Sequence, residues 1–176
     1  DVYKRQELAN NFSSQIVVEH VRTSAKEFID AIDIETNSKI AMEVVMHSSK
    51  KSKALKKIDR PKAYIIKKNQ TEIIEKLDIN GIKTITIEND TTLSAGSYTV
   101  TGYKDDFKIY EKIKMQDVDV RIDYSDIVFS KGDLILPMKQ KKSNLIAELM
   151  EPEAPNSYVS FGLIKTGINK ILPIYR

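Results

Sequence analysis

The chain has 176 residues, 41% hydrophobic and 30% charged, with a formal net charge of +3 and no cysteine. That length holds one ordinary domain, or one domain and a piece of another, and the balance is that of a globular protein rather than a disordered one. Disulfides, thiolate metal sites and thiol nucleophiles are excluded, and no apolar run reaches the roughly 20 residues a helix needs to cross a bilayer. The sequence opens on Asp1 rather than Met, its first six residues (DVYKRQ) read like adapter sequence, and any export signal is expected upstream.

The net charge is unevenly placed. Between Ser48 and Lys62 stand Lys50, Lys51, Lys53, Lys56, Lys57, Arg60 and Lys62 against Asp59 alone. That segment carries +6, so with +3 for the whole chain the remainder carries −3. A basic run of this kind can engage an anionic partner such as nucleic acid or a membrane surface. No aromatic residue is interleaved to stack on bases, which favours a solvated linker or an exposed helix end and disfavours nucleic acid.

In chain order, Val17, Val21, Ala25, Phe28 and Ile32 recur at three- and four-residue spacing and predict a helix over 12–32, capped by Ser13 or Ser14. Glu35 to Ser38 is a turn with N-cap chemistry, and Ile40, Val44 and His47 predict a second helix. Two short helices do not make a core, so a neighbouring domain is expected to cover them. A boundary follows at Arg60-Pro61, because a residue before proline is pushed out of the helical region.

From Ala63 the pattern changes. Ala63 to Ile66 reads as a strand, and Asn69 with Glu72 as a capping box. Ile73, Ile74 and Leu77 supply a helix face, and Asn80-Gly81 is the stop. Ile82 to Ile87 is again strand-like, so a right-handed β-α-β unit with parallel pairing is expected. Period-two patterning then runs through Tyr98 and Val100, through Phe107 to Met115, and most clearly through Val118, Val120, Ile122 and Tyr124 against Asp117, Asp119, Arg121 and Asp123. The last unit has a strand at Leu134–Leu136, a turn at Pro137, and a helix burying Leu145, Ile146 and Leu149. A stop at Glu151-Pro152 follows, then a strand over Tyr158–Ile164 and a docked extended tail at 172–176.

Few residues suggest chemistry. Glu43 and His47 could share a metal on one helical face, but two ligands without a third make a weak site, and an i,i+4 contact is the commoner arrangement. His20 reads as an exposed or partly packed helix residue. Asp117, Asp119, Asp123 and Asp126 could suggest calcium, yet strand alternation explains three of them and the loop glycine and closing Glu are missing. Lys139, Lys141 and Lys142 fall in the first turn of the last helix, where with free backbone N–H groups they could hold an anion; an exposed helix start is the better explanation. No Gly-x-Ser-x-Gly elbow and no glycine-rich phosphate loop is present.

The stretch from Lys131 to Ile164 carries a more specific signal. Gly132-Asp133, Pro137, Gln140, Asn144 to Leu149, Glu151 to Pro155, Ser157 and Phe161-Gly162 together resemble the C-terminal region of a bacterial group within the M14 zinc carboxypeptidase family. Arg60-Pro61 with Ala63 to Ile66, and the exit Leu77…Asn80-Gly81-Ile82, resemble that group's preceding segment. Phe161 stands where the group usually has Trp, and Leu163-Ile164 where paired aromatics are common. The resemblance implies terminal helices of an upstream peptidase domain at 1–47, a lysine-rich linker at 48–60 and an accessory domain at 61–176.

The expected fold is α+β or α/β: an N-terminal helix pair, then a mixed β-sheet domain with two amphipathic helices. The resemblance further implies zinc and a peptide substrate in the parent enzyme, with the upstream peptidase domain as partner and export or the cell envelope as location. No catalytic, cofactor or metal residue is assigned within this chain, because neither His20 nor His47 begins a His-x-x-Glu pair, and no cofactor is expected here. The alternative is a stand-alone interaction module binding an anionic partner through Lys50–Lys62.

Overall fold

The computed structural model describes residues 14–176, apart from the side chains of 48–51 and 105–108. The expected N-terminal helix pair is replaced by a ribbon. Strand β1 (Gln15–Ile32) pairs antiparallel with β2 (Lys39–Asp59) in a two-stranded sheet. The stripe read as helical is mostly outside: Val17, Val21, Phe28 and Ile32 are exposed, while Ile16 and Val18 are buried. Burial therefore alternates by two along the start of β1, as a strand requires and a helix forbids. At the far end Asp33 closes the hairpin. Its carboxylate accepts the N–H groups of Glu35 and Thr36 at 2.8 and 3.3 Å, and Asn37 takes a left-handed φ of +53°. These backbone hydrogen bonds hold the Asp33 carboxyl below its ordinary pKa. The residues read as helix-capping chemistry thus make a hairpin turn. The start of the expected helix at Phe12 and Ser13, like the adapter-like opening, lies outside the described residues.

The remaining elements are β3 (Ala63–Ile66), α1 (Thr71–Ile79), β4 (Ile85–Thr86), β5 (Thr91–Tyr110), β6 (Ile113–Phe129), β7 (Leu134–Pro137), α2 (Ser143–Met150) and β8 (Ile171–Tyr175). Their six strands form one sheet in the order β4-β7-β3-β8-β5-β6. Every pairing is antiparallel, so the expected mixed sheet with parallel pairing is not formed. The β3-α1-β4 unit does return to the same sheet. However, β7 is inserted between its two strands, pairing antiparallel to both. The expected strand over Ile82–Ile87 contracts to Ile85–Thr86, and that over Tyr158–Ile164 becomes a chain of turns. The tail at 172–176 lies largely within β8, docked as a strand between β3 and β5.

Both helices form near the predicted places, with adjusted ends and faces. Gln70 caps α1 without a side-chain bond, so Asn69 and Glu72 make no capping box, and Gly81 leaves the helix at φ +59°. Helix α2 buries Ser143, Ile146, Ala147 and Met150, whereas Leu145 is exposed and Leu149 half-buried. Ile73 and Leu77 of α1, Ile146 and Met150 of α2, and Tyr64, Tyr98, Leu136 and Ile174 of the sheet share one core, which Ile16 and Val18 of the ribbon also enter. Burying each such aliphatic side chain contributes about 1.5–3 kcal/mol. On the other side of the sheet, Ile65, Ile87, Ala95 and Phe129 make a smaller cluster.

Candidate functional site

The most unusual chemistry in the chain is buried. Helix α2 ends at Met150, and Glu151 leaves it in an extended conformation with its side chain directed into the core, 5% exposed. Glu151 Oε1 accepts the hydroxyl of Tyr64 at 2.5 Å and that of Tyr98 at 2.9 Å, and lies 3.5 Å from Nη1 of Arg176. Nη2 of the same guanidinium donates to the carbonyl of Asp59 at 2.5 Å. The cluster therefore joins β3, β5, the residue after β8, the end of α2 and the end of β2.

Electrostatics here are set by burial. Desolvation pushes the Glu151 carboxyl above its ordinary 4.5, against the tyrosine hydrogen bonds and the Arg176 charge, which pull it down. Burial, reinforced by the Glu151 charge, raises both tyrosines well above their ordinary value. Burial works to lower Arg176, but Tyr98 and Glu151 outweigh it and raise the guanidinium further. Neither tyrosine is poised to give up a proton near neutrality. The arrangement is a clasp rather than an acid–base pair.

The neighbouring motif residues behave alike. The Asp133 carboxylate accepts the N–H groups of Lys68 and Ser130, each at 3.0 Å, and an ion pair from Lys67 Nζ at 3.1 Å. Burial opposes its ionisation, but these donors win and hold its pKa below 3.8. Lys67 also lies over the Phe129 ring, 4.5 Å from its centre. Gln140 ties two loops together, its Oε1 accepting Lys83 N–H at 2.9 Å and its Nε2 donating to the carbonyls of Lys83 and Pro137. Ser157 Oγ donates to the Pro152 carbonyl at 3.0 Å and accepts Ser160 N–H, folding the EPEAPNS segment on itself. Glu153 accepts Val120 N–H and pairs with Lys56, fastening β2 to β6.

Residue patterning did not expose the buried role of Glu151, which it read as a helix stop, and the resemblance included the residue without giving it a task. Its signal is an acid placed directly after an apolar helix, where an exposed group would normally stand. Similarly, Gln116 is buried at 7%, donating to the carbonyls of Val159 and Ile164 from near the start of β6.

The other candidates are dispersed. His20 and His47 are exposed on the ribbon, opposite Ala54 and Ser24. Glu43 and His47 lie on a strand, where a four-residue separation spans about 13 Å, so the expected i,i+4 contact is not made; Glu43 instead pairs with Lys26 at 2.5 Å. Asp117 pairs with Lys104 and Asp123 with Arg121, while Asp126 falls on the opposite face of β6 from both. Among the described residues no three His, Cys, Asp or Glu side chains could hold one metal ion. The donor set described here does not fit zinc. Lys139, Lys141 and Lys142 precede α2 rather than forming its first turn, and Lys142 donates to the Asn80 carbonyl. Within the basic segment, Arg60 donates to Ser143 Oγ and Asn144 Oδ1. No helix among the described residues is long and apolar enough to cross a membrane.

No protein-family profile and no solved structure matches the chain. Three curated proteins do: Carboxypeptidase 2 of Trichophyton tonsurans, of Trichophyton rubrum and of Trichophyton equinum. Each is 26% identical over 117 residues, which are 66% of this chain and 22% of the relative. The match spans about a fifth of the length of these relatives. The chain thus contains a carboxypeptidase-related region.

Proposed function

We propose that this chain is a non-catalytic, C-terminal part of an M14-like zinc metallocarboxypeptidase, whose accessory domain packs on and supports the peptidase domain. The observation that carries the reading is how the motif residues are used. Asp133, Gln140, Glu151, Glu153 and Ser157 each fasten turns, strands or helix ends to one another. A segment that resembles the C-terminal region of carboxypeptidases, and is spent on holding itself rigid, suits a supporting role. The parent enzyme would cleave a C-terminal peptide bond with zinc-activated water, using ligands and a general base supplied elsewhere in its chain. No step of that reaction is assigned to residues here.

The test is to read the gene upstream of Asp1. The expected result is a His-x-x-Glu pair, an Arg, a later His and a Glu base, in that order, within about 300 residues. A reading frame that opens with Met directly before this segment would overturn the proposal. Hydrolysis of peptides by the purified chain with added zinc would overturn its non-catalytic part.

A further inference from the structure

The β1–β2 ribbon carries an apolar face that the described residues leave open. Its base is held to the body by Ile16, Val18 and Ile58. Further out, the register sets Ala25 opposite Met46, Glu27 opposite Val44, Ile29 opposite Met42 and Ala31 opposite Ile40. Directly opposed residues share a face, as do alternate residues along one strand. Seven of these eight side chains are therefore apolar and lie on one surface, where Ile29, Ile40, Met42 and Met46 are 39–44% exposed. The other face is mixed. There Lys26 pairs with Glu43, and Asp30, Lys39 and His47 stand between Phe28, Ile32 and Val45. A two-stranded ribbon is marginal in water unless something packs on its hydrophobic face, so the open face calls for a second layer.

Charge selects that layer. The outer half, residues 24–47, holds five acids (Glu27, Asp30, Asp33, Glu35, Glu43) against Lys26 and Lys39, a net of −3. The inner half, residues 15–23 and 48–59, holds six basic residues against Glu19 and Asp59, a net of +4. An anionic membrane or a nucleic acid attracted to the base would be repelled along the acidic, apolar half. A second ribbon turned end for end sets basic half against acidic half and apolar face against apolar face. The open face itself follows this division: Glu27 lies in its outer half, and the opposed pair Val21 and Lys53 continues it toward the base.

We propose that the open face of the ribbon docks on the same face of a second copy, antiparallel, about a two-fold axis near Ala25 and Met46. Ile29 and Met42 then lie over the partner's Val21 and Lys53. Sheets stacked face to face stand about 10 Å apart, which lets Glu27 of one copy reach the partner's Lys53. A contact about 50 Å long and about 10 Å wide buries about 1,000 Å² over both copies, the low end for specific interfaces. The dimer is therefore reversible, with a Kd of about 10 μM. This inference concerns the ribbon and stands whether or not the parent is a peptidase.

The test is sedimentation equilibrium of the full chain from about 1 to 200 μM, a range that brackets that Kd. The expected result is a monomer–dimer equilibrium. Met42→Asp should weaken it about tenfold or more, whereas Val45→Asp, on the mixed face opposite Lys26, should leave it unchanged. Glu27→Lys and Lys53→Glu should each weaken self-association about fivefold, and an equimolar mixture of the two should regain it, because both contacts of the mixed dimer again join unlike charges. Should a charge variant fail to fold, the comparison of Met42→Asp with Val45→Asp still decides the matter. A monomer throughout the range, including one that adsorbs to phosphatidylcholine vesicles, would overturn the proposal. Equal effects at Met42 and Val45, or no gain on mixing two folded charge variants, would do the same.

Discussion

Replacing Glu151 by Ala tests the central clasp. The substitution strands the hydroxyls of Tyr64 and Tyr98, both fully buried, and leaves the 8% exposed Arg176 side chain without its counter-charge. An unsatisfied buried hydroxyl costs about 1–3 kcal/mol, and removing one partner of a buried ion pair costs about 3–5 kcal/mol. These overlap, because all three donors converge on one oxygen, so the expected loss is about 4 kcal/mol in total. With a urea m-value near 2 kcal/mol/M, the unfolding midpoint should fall by about 2 M. Tyr64→Phe removes a single hydroxyl and should cost only about 1 kcal/mol. A loss for Glu151→Ala below about 1 kcal/mol would refute the reasoning, since exposed substitutions already cost up to about half that.

The same residue predicts a pH dependence. Because its folded pKa is raised above 4.5, the native state holds the proton more tightly than the unfolded state. This contribution to stability is greatest below pH 4.5 and declines as pH rises through the raised value. Glu151→Gln should flatten that slope.

Asp133 has the opposite sign. Its lowered pKa contributes stability that is present above pH 3.8 and disappears as pH falls through the folded value. Asp133→Asn should therefore destabilise by about 1–3 kcal/mol at neutral pH and much less in acid, as read by denaturant titration across pH. The ribbon makes a sharper distinction. Val18→Asp buries a charge beside Ile16 and should cost upwards of about 3 kcal/mol, whereas Val17→Asp on the exposed face should stay within about 0.5 kcal/mol. Equal losses at the two positions would restore the helical stripe.

The β-rich middle was legible because, over Val118 to Ile122, one face of β6 meets the main core while the other meets water, which prints an alternation into the sequence; Tyr124 continues that alternation but is exposed. The ribbon was not. Val17, Val21, Ala25, Phe28 and Ile32 happen to satisfy a helical period, but Ile40, Met42, Val44 and Met46 also recur by two, and that shorter period prevails. Sheet order was hidden for another reason. Nothing in Leu134–Pro137 or Ile171–Tyr175 states that each strand slots between two earlier ones, because strand neighbours are chosen by long-range packing. The resemblance pointed to Glu151, Asp133 and Gln140 as a set. Their tasks became visible only through partners distant in sequence, such as Tyr64, Lys68 and Lys83.

The position of β8 dictates an order of assembly. The strand latest in sequence lies between β3 and β5. Until Ile171–Tyr175 emerge from the ribosome, the sheet exists at most as two halves, β4-β7-β3 and β5-β6, each with an open inner edge. The Arg176–Asp59 bond, which spans 117 residues, must wait equally long. Folding is therefore late and non-local, with the two bare edges exposed to mispairing while the chain is still being made. A chain cut short before Ile171 would stay in that condition, able to form its hairpins but lacking the strand that makes them one sheet.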